Sequence, residues 1–228
     1  MFTSEEWTAI LLSLKVGSIA TAASLPVAIA VAWVLARRDF RGKSLVDGVV
    51  HLPLVLPPVV TGYALLLLFG RRGVFGAFLA DHLGLVFSFR WTGAALAAGV
   101  MGFPLMVRAI RLSLEAIDVR VEQAAATLGA PPLWVFATVT LPLASRGIVA
   151  GAVLAFAKAL GEFGATITFV SNIPGQTQTI PSAIYALTQT PGGEAGALKL
   201  SIVAAGIALA ALIVSEVSVR RARRGAAA

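Results

Sequence analysis

Lys158 and Glu162 stand inside an otherwise apolar run, residues 148–170. Their spacing of four places an ammonium and a carboxylate on one helical face. A charge deep in a bilayer costs at least about 2.5–3.5 kcal/mol on insertion scales, so such a pair should be matched and turned from lipid. The two could form part of a substrate or proton path, or neutralise each other toward a bundle interior. Neutral polar groups in the apolar runs, Thr61, Thr166, Thr168, Ser171 and Asn172, are candidates for a path. Each hydroxyl could equally satisfy a carbonyl of its own helix. No lysine or arginine cluster sits in the middle of a run.

Other chemistry is sparse. His51 and His82 are the two histidines, and neither has a second histidine or an acid at ligand spacing. A metal site needs three or four ligands, so none is expected. Gly-x-Ser-x-Gly, His-Glu-x-x-His and a Walker phosphate loop are all missing from the sequence, so the chain has no evident means of hydrolysing ATP or acting as an enzyme. The absence of cysteine excludes disulfides and thiolate zinc.

Prolines interrupt the apolar runs at Pro26, Pro53, Pro57, Pro58 and Pro104. Each removes a backbone donor and kinks a helix. The cluster His-Leu-Pro-Leu-Val-Leu-Pro-Pro-Val-Val-Thr-Gly at 51–62 excludes a straight helix. A helix that bends there could line a path, with Pro57, Pro58 and Thr61 at its turn, or could simply be kinked for packing.

The most specific signal is the polar segment 108–147. Asp118 can cap a helix that runs through Glu122, Gln123, Ala124 and Ala125. Gly129 follows as a stop. Pro131-Pro132 then starts a second helix, expected to continue through Trp134, Val135, Thr138, Val139 and Leu141 until Pro142. A helix, a glycine turn and a second helix would expose small and apolar residues, and such a patch marks a partner site.

The elements that position these residues follow from composition. Of 228 residues, 58% are hydrophobic and 13% charged, against about 25% charged in soluble domains. Disorder is excluded. So is a soluble core of this size. The chain reads as an all-α, polytopic membrane bundle. A span needs about 20 apolar residues, and five runs qualify or nearly do: 10–36, 49–70, 91–107, 148–170 and 197–219. Residues 179–190, too short to cross alone, are expected to form a short helix on the outer side or partly in the bilayer. The first run is too long for a signal peptide and lacks a basic lead, so it is expected to be kept. Lys15, Lys199 and Glu216 lie near span ends and can snorkel. The net charge of +7 sits in clusters between spans and reads as orientation rather than nucleic-acid binding. Alternate loops carry twelve and three Lys+Arg, which puts the N-terminus outside and the C-terminus, with Arg220, Arg221, Arg223 and Arg224, inside. Arg71-Arg72 runs against this.

Gln123-Ala124-Ala125, Gly129 and Val139-x-Leu141-Pro142 resemble the E-A-A-x3-G-x9-I-x-L-P motif of ABC-importer permeases. Gln123 replaces the motif's Glu, Val139 its Ile, and Glu122 stands one position early. The 51–63 block, Gly70-Arg-Arg-Gly73, 103–111, 160–175, 180–185 and 189–193 together resemble the molybdate-type permeases, over essentially the whole chain. Sulfate and thiosulfate permeases share the loop and a Gly-Glu-Phe-Gly-like stretch.

The resemblance implies the type I ABC-importer transmembrane fold as one permease domain, 1–228, with its core about 8–219. It implies a coupling loop, 108–147, that docks on an ATPase subunit through Glu122, Gln123, Ala124, Ala125, Gly129, Val139, Leu141 and Pro142. The implied partners are a second copy of the chain, an ATPase dimer that holds the ATP, an external molybdate-binding protein and the bilayer of a bacterial inner membrane. The chain itself would hold no cofactor. Pro57, Pro58, Thr61, Lys158, Glu162, Thr166 and Ser171 are candidates for the translocation path or gate. A sulfate-type permease is the nearest alternative. An ion-coupled secondary transporter predicts matching inverted halves, which the sequence does not display.

Overall fold

The computed structural model describes residues 2–225; the side chains of residues 215 and 218–225, including the basic cluster Arg220, Arg221, Arg223 and Arg224, lie outside the described residues. The described residues form helices and connections, with no strand.

α1 (Ser4–Arg37) begins earlier than its hydropathy suggests. Thr3 Oγ1 accepts from the Glu6 N–H at 3.1 Å, and the Glu6 carboxylate accepts from the Thr3 N–H at 2.8 Å. This reciprocal cap satisfies two orphan donors. The expected second span is two helices, α2 (Lys43–Val55) and α3 (Pro58–Phe69), bent by 114° at the break. Consecutive prolines explain it. Pro57 holds Leu56 in extended backbone, and Pro58 opens α3 where a missing N–H costs nothing. Pro26, Pro53 and Pro104, each alone, stay within helices.

The loop expected at 71–90 contains a short apolar helix, α4 (Val74–Leu83). α5 (Trp91–Glu115) runs past its expected end at 107. Its last charges pair, Arg111 Nε with Glu115 at 2.7 Å and Arg111 Nη1 with Asp47 of α2 at 3.0 Å. α6 (Val119–Thr127) and α7 (Pro132–Val135) follow, then a π turn, Phe136–Thr140. The chain does not stop at Pro142. That proline lies in the first turn of α8 (Leu141–Leu160), where its missing donor is harmless. The expected fourth span is therefore shifted and broken, with α9 (Gly164–Val170) set off beyond 161–163. α10 (Ile180–Thr188) is the short helix expected at 179–190. α11 (Glu194–Gly225) closes the chain.

Three buried clusters give the directions. Val16 and Ala20 of α1 meet Ala94–Met101 of α5 with Ala159 of α8 in one cluster. Ala28, Ala32 and Leu35 meet Met106, Ile110 and Leu114 with Ala144 in another. So α1 and α5 are parallel and α8 is antiparallel to both. Gly147, Gly151, Ala155 and Ala159 recur every fourth residue of α8 and are buried. A Cβ at Gly151 would press on the backbone of Met106. Small residues at this spacing let membrane helices approach closely. In the third cluster Ala9 and Ile10 meet Ile180, Ala183 and Leu200, so α10 lies at the N-terminal end of α1 and does not cross.

Candidate coupling element and translocation site

The residues of the 118–142 motif form one element at the end of the bundle where α1 finishes. Asp118 Oδ1 accepts from the Arg120 N–H at 2.9 Å, capping α6 as expected. Gly129 has φ +86° and open space where a Cβ would stand. It is needed for backbone shape alone, since this conformation strains other residues. Around the turn the apolar residues face outward: Leu128 is 89% exposed, Leu133 83% and Trp134 62%. Gln123, Ala124 and Pro142 are exposed, and Ala125, Val139 and Leu141 half-buried.

The inner side of the element is polar. Glu122 Oε1 meets Arg37 Nη2 at 3.1 Å and accepts from Thr140 Oγ1 at 2.7 Å. Trp33 and Phe136 meet edge to face at 6.0 Å beside them. The π turn sets Thr140 toward α6. A single wide turn in a helix re-aims the side chains that follow. A cavity of about 350 Å³, lined by Trp33, Arg37, Gln123 and Phe136 among others, lies behind α6.

The other candidates gather where α3 crosses α9. Lys158 Nζ meets Glu162 at 2.7 Å, with the Glu162 side chain 1% exposed and that of Lys158 30%. Glu162 does more than neutralise Lys158. Its Oε1 accepts from the Ala165 N–H at 2.9 Å and so caps α9. Thr166 Oγ1 donates to the Phe163 carbonyl at 2.9 Å. A Cβ at Gly62 would lie 2.5 Å from the Ala165 carbonyl oxygen, and one at Gly164 would lie 2.8 Å from Pro58. The two helices therefore touch through backbone. Thr61 Oγ1 is buried there with no hydrogen-bond partner. The fold thus brings Pro58, Thr61, Glu162 and Thr166 to one crossing. Ser171, at φ +66°, stands apart at the far end of α9. Thr168 Oγ1 bonds its own helix at 2.8 Å. Asn172 Nδ2 reaches the Ser182 carbonyl at 3.5 Å.

Sequence reasoning missed Arg37, Thr140 and the Asp47–Arg111 pair. Arg37 reads as one more orienting charge, and its partner lies 85 positions away. Lys199, expected to snorkel, meets Glu6 at 3.1 Å, and Lys15 lies 3.8 Å over the Trp91 ring. His51, expected to have no acid at ligand spacing, has Asp47 one turn before it, with Nδ1 3.3 Å from Oδ1; among the described residues no group of three or more acids and histidines could hold a metal.

The family model described as "binding-protein-dependent transport system inner membrane component" matches residues 24–224. The molybdenum transport system permease protein ModB of Escherichia coli K12 is 60% identical, over 99% of both chains. Its Haemophilus influenzae counterpart is 58% identical over 92% of each. A sulfate transport system permease protein of Synechococcus elongatus is 37% identical over 95% of this chain and 75% of its own. In solved structures the fold is matched by a chain of a bacterial alginate ABC transporter in complex with its alginate pentasaccharide-bound periplasmic protein, with TM-score 0.75, 18% identity and coverage of 96% of this chain and 80% of that one. A family match over residues 24–224 and 60% identity over the full length show that the chain belongs to the family of inner-membrane components of binding-protein-dependent transport systems.

Proposed function

We propose that this chain is the pore-forming permease subunit of an ATP-driven importer of molybdate or its near twin tungstate. The identity of 60% across the full length of a permease named for molybdenum transport carries the reading, against 37% to the sulfate permease. Two copies form the pore. Each presents Leu128, Leu133 and Trp134, on the element that holds Glu122–Ala125, Gly129 and Val139–Pro142, to one ATPase subunit. ATP is held by that partner, and this chain holds no cofactor. An external binding protein delivers the oxyanion, an arrangement supported by the alginate transporter seen with its periplasmic protein.

The N-terminus lies outside and the C-terminus in the cytoplasm. Support comes from the basic loops and from the placement of α6–α7 at the Arg37 end of α1. ATP closes the ATPase dimer, moves the two α6–α7 elements, and shifts the pore between inward- and outward-open states. It can do so only by favouring one state over the other. Pro57, Pro58, Thr61, Lys158, Glu162, Thr166 and Ser171 serve the path or its gate, most of them through the α3–α9 crossing.

The test is reconstitution with the ATPase and the binding protein. Hydrolysis stimulated by molybdate-loaded but not sulfate-loaded binding protein is the expected result. Stimulation by the sulfate-loaded form alone would overturn the anion. Failure to form a complex with an ATPase would overturn the importer.

A further inference from the structure

No residue of α6 is buried. A helix that must transmit force is therefore held to the body by something other than apolar packing. Among the described residues its side-chain hydrogen bonds to the body converge on one carboxylate oxygen. Glu122 Oε1 takes Arg37 Nη2 from the end of α1 and Thr140 Oγ1 from the π turn that leads into α8. The Arg37 side chain is 12% exposed and that of Glu122 16%, and Thr140 is buried.

The joint is not at its best geometry. Arginine and carboxylate bind most strongly as a two-pronged fork. Here the single Nη2 serves Glu122 and, at 3.4 Å, the Ile117 carbonyl. Arg37 Nε is buried with no acceptor. A buried donor left unmade is costly, so a small shift of α6 against α1 that gave Nε an acceptor would be favoured.

We propose that Arg37, Glu122 and Thr140 are positioning residues of transport, forming a joint that carries movement of α6 into α1 and α8 together and tightens in the other transport state. This rests on the reading of α6–α7 as the ATPase-docking element. Arg37 lies outside the docking face, so it separates the joint from docking itself.

The experiment uses the full importer in proteoliposomes, with R37Q, R37K, E122Q and the exchange R37E/E122R. It reads co-purification with the ATPase, stimulation of hydrolysis by molybdate-loaded binding protein, and molybdate imported per ATP. R37Q and E122Q are expected to keep the ATPase and lose stimulation about five- to tenfold, within the usual range of coupling between sites. R37K should retain most of it, and the exchange should recover part. Undiminished stimulation and an unchanged import ratio in R37Q would overturn the joint. Loss of the ATPase from R37Q or E122Q would also overturn it, by assigning these residues to docking. If the unmodified chain bound no ATPase, the importer reading itself would fall, and the joint with it.

Discussion

Glu6 and Lys199, 193 positions apart, meet at 3.1 Å and join the first turn of α1 to the start of α11. Both helices therefore begin at the same end of the molecule. Because α1 and α5 are parallel, the chain between them must return across the bundle once, which makes the bent α2–α3 pair one broken crossing. α8 stops beside Ser201, Ala204 and Ala205, part-way along α11, and α9 carries the same span on until Val170 meets Gly93 at the start of α5; α10 adds none. Among the described residues four helices are long and apolar enough to cross, and the bent α2–α3 pair, counted as one span, makes five.

Topology can be read directly, because the chain has no cysteine to mask a reporter. Single cysteines at Thr3 and Gln189 should react with an impermeant thiol reagent added to intact cells or spheroplasts. A cysteine at Ala130 should react only after the membrane is opened. Labelling of the Ala130 reporter from outside would invert the orientation.

Gly129→Val forces a β-branched residue into φ +86°. A left-handed conformation costs such a residue roughly 1–2 kcal/mol. The turn will relax and carry Leu128 and Leu133 with it. Insertion should be normal, while stimulated ATP hydrolysis and uptake fall together. Wild-type uptake in that variant would contradict the placement of α6–α7 at the ATPase.

Glu162→Ala removes both the partner of Lys158 and the cap of α9. A loss of about 1–3 kcal/mol, the cost of an unmet buried group, is expected, read as a lower Tm in detergent. Glu162→Gln should lose less, since an amide oxygen still accepts from the Ala165 N–H. Adding Lys158→Ala to Glu162→Ala should recover part of the loss. Equal Tm for Glu162→Ala and Glu162→Gln would deny the cap.

Gly151→Leu should be worse than any surface change, because the leucine would enter the Met106 backbone. Overpacking costs typically about 1–3 kcal/mol, and here the obstacle is main chain. Expression and Tm should both drop. Leu154→Ala, on the exposed side of the same helix, is the control and should leave both unchanged.

The sequence carried the spans because twenty apolar residues have few other uses. It also carried the α6–Gly129–α7 element, since Asp118, Gly129 and Pro132 are local signals and each acts within its own turn. The start of α1 was readable in Thr3-x-x-Glu6, although hydropathy alone begins at residue 10. The break at 161–163 was not readable. Gly161 is tolerated in many helices, and what ends α8 is a carboxylate four residues from its lysine turning to cap the next helix. The Arg37–Glu122 and Glu6–Lys199 pairs were invisible for a different reason: each joins segments that only the folded bundle brings together. The stripe of small residues on α8 was present in the letters, but nothing local said that it faces α5 of the same chain.

The two interruptions at 56–57 and 161–163 lie against each other, with Pro58 beside Gly164. Irregular backbone within a bilayer survives only where protein or water meets its polar groups. Here protein meets both breaks: Pro58 packs on Gly164, and the Glu162 carboxylate takes the Ala165 N–H, so neither interruption leaves its backbone for lipid to satisfy.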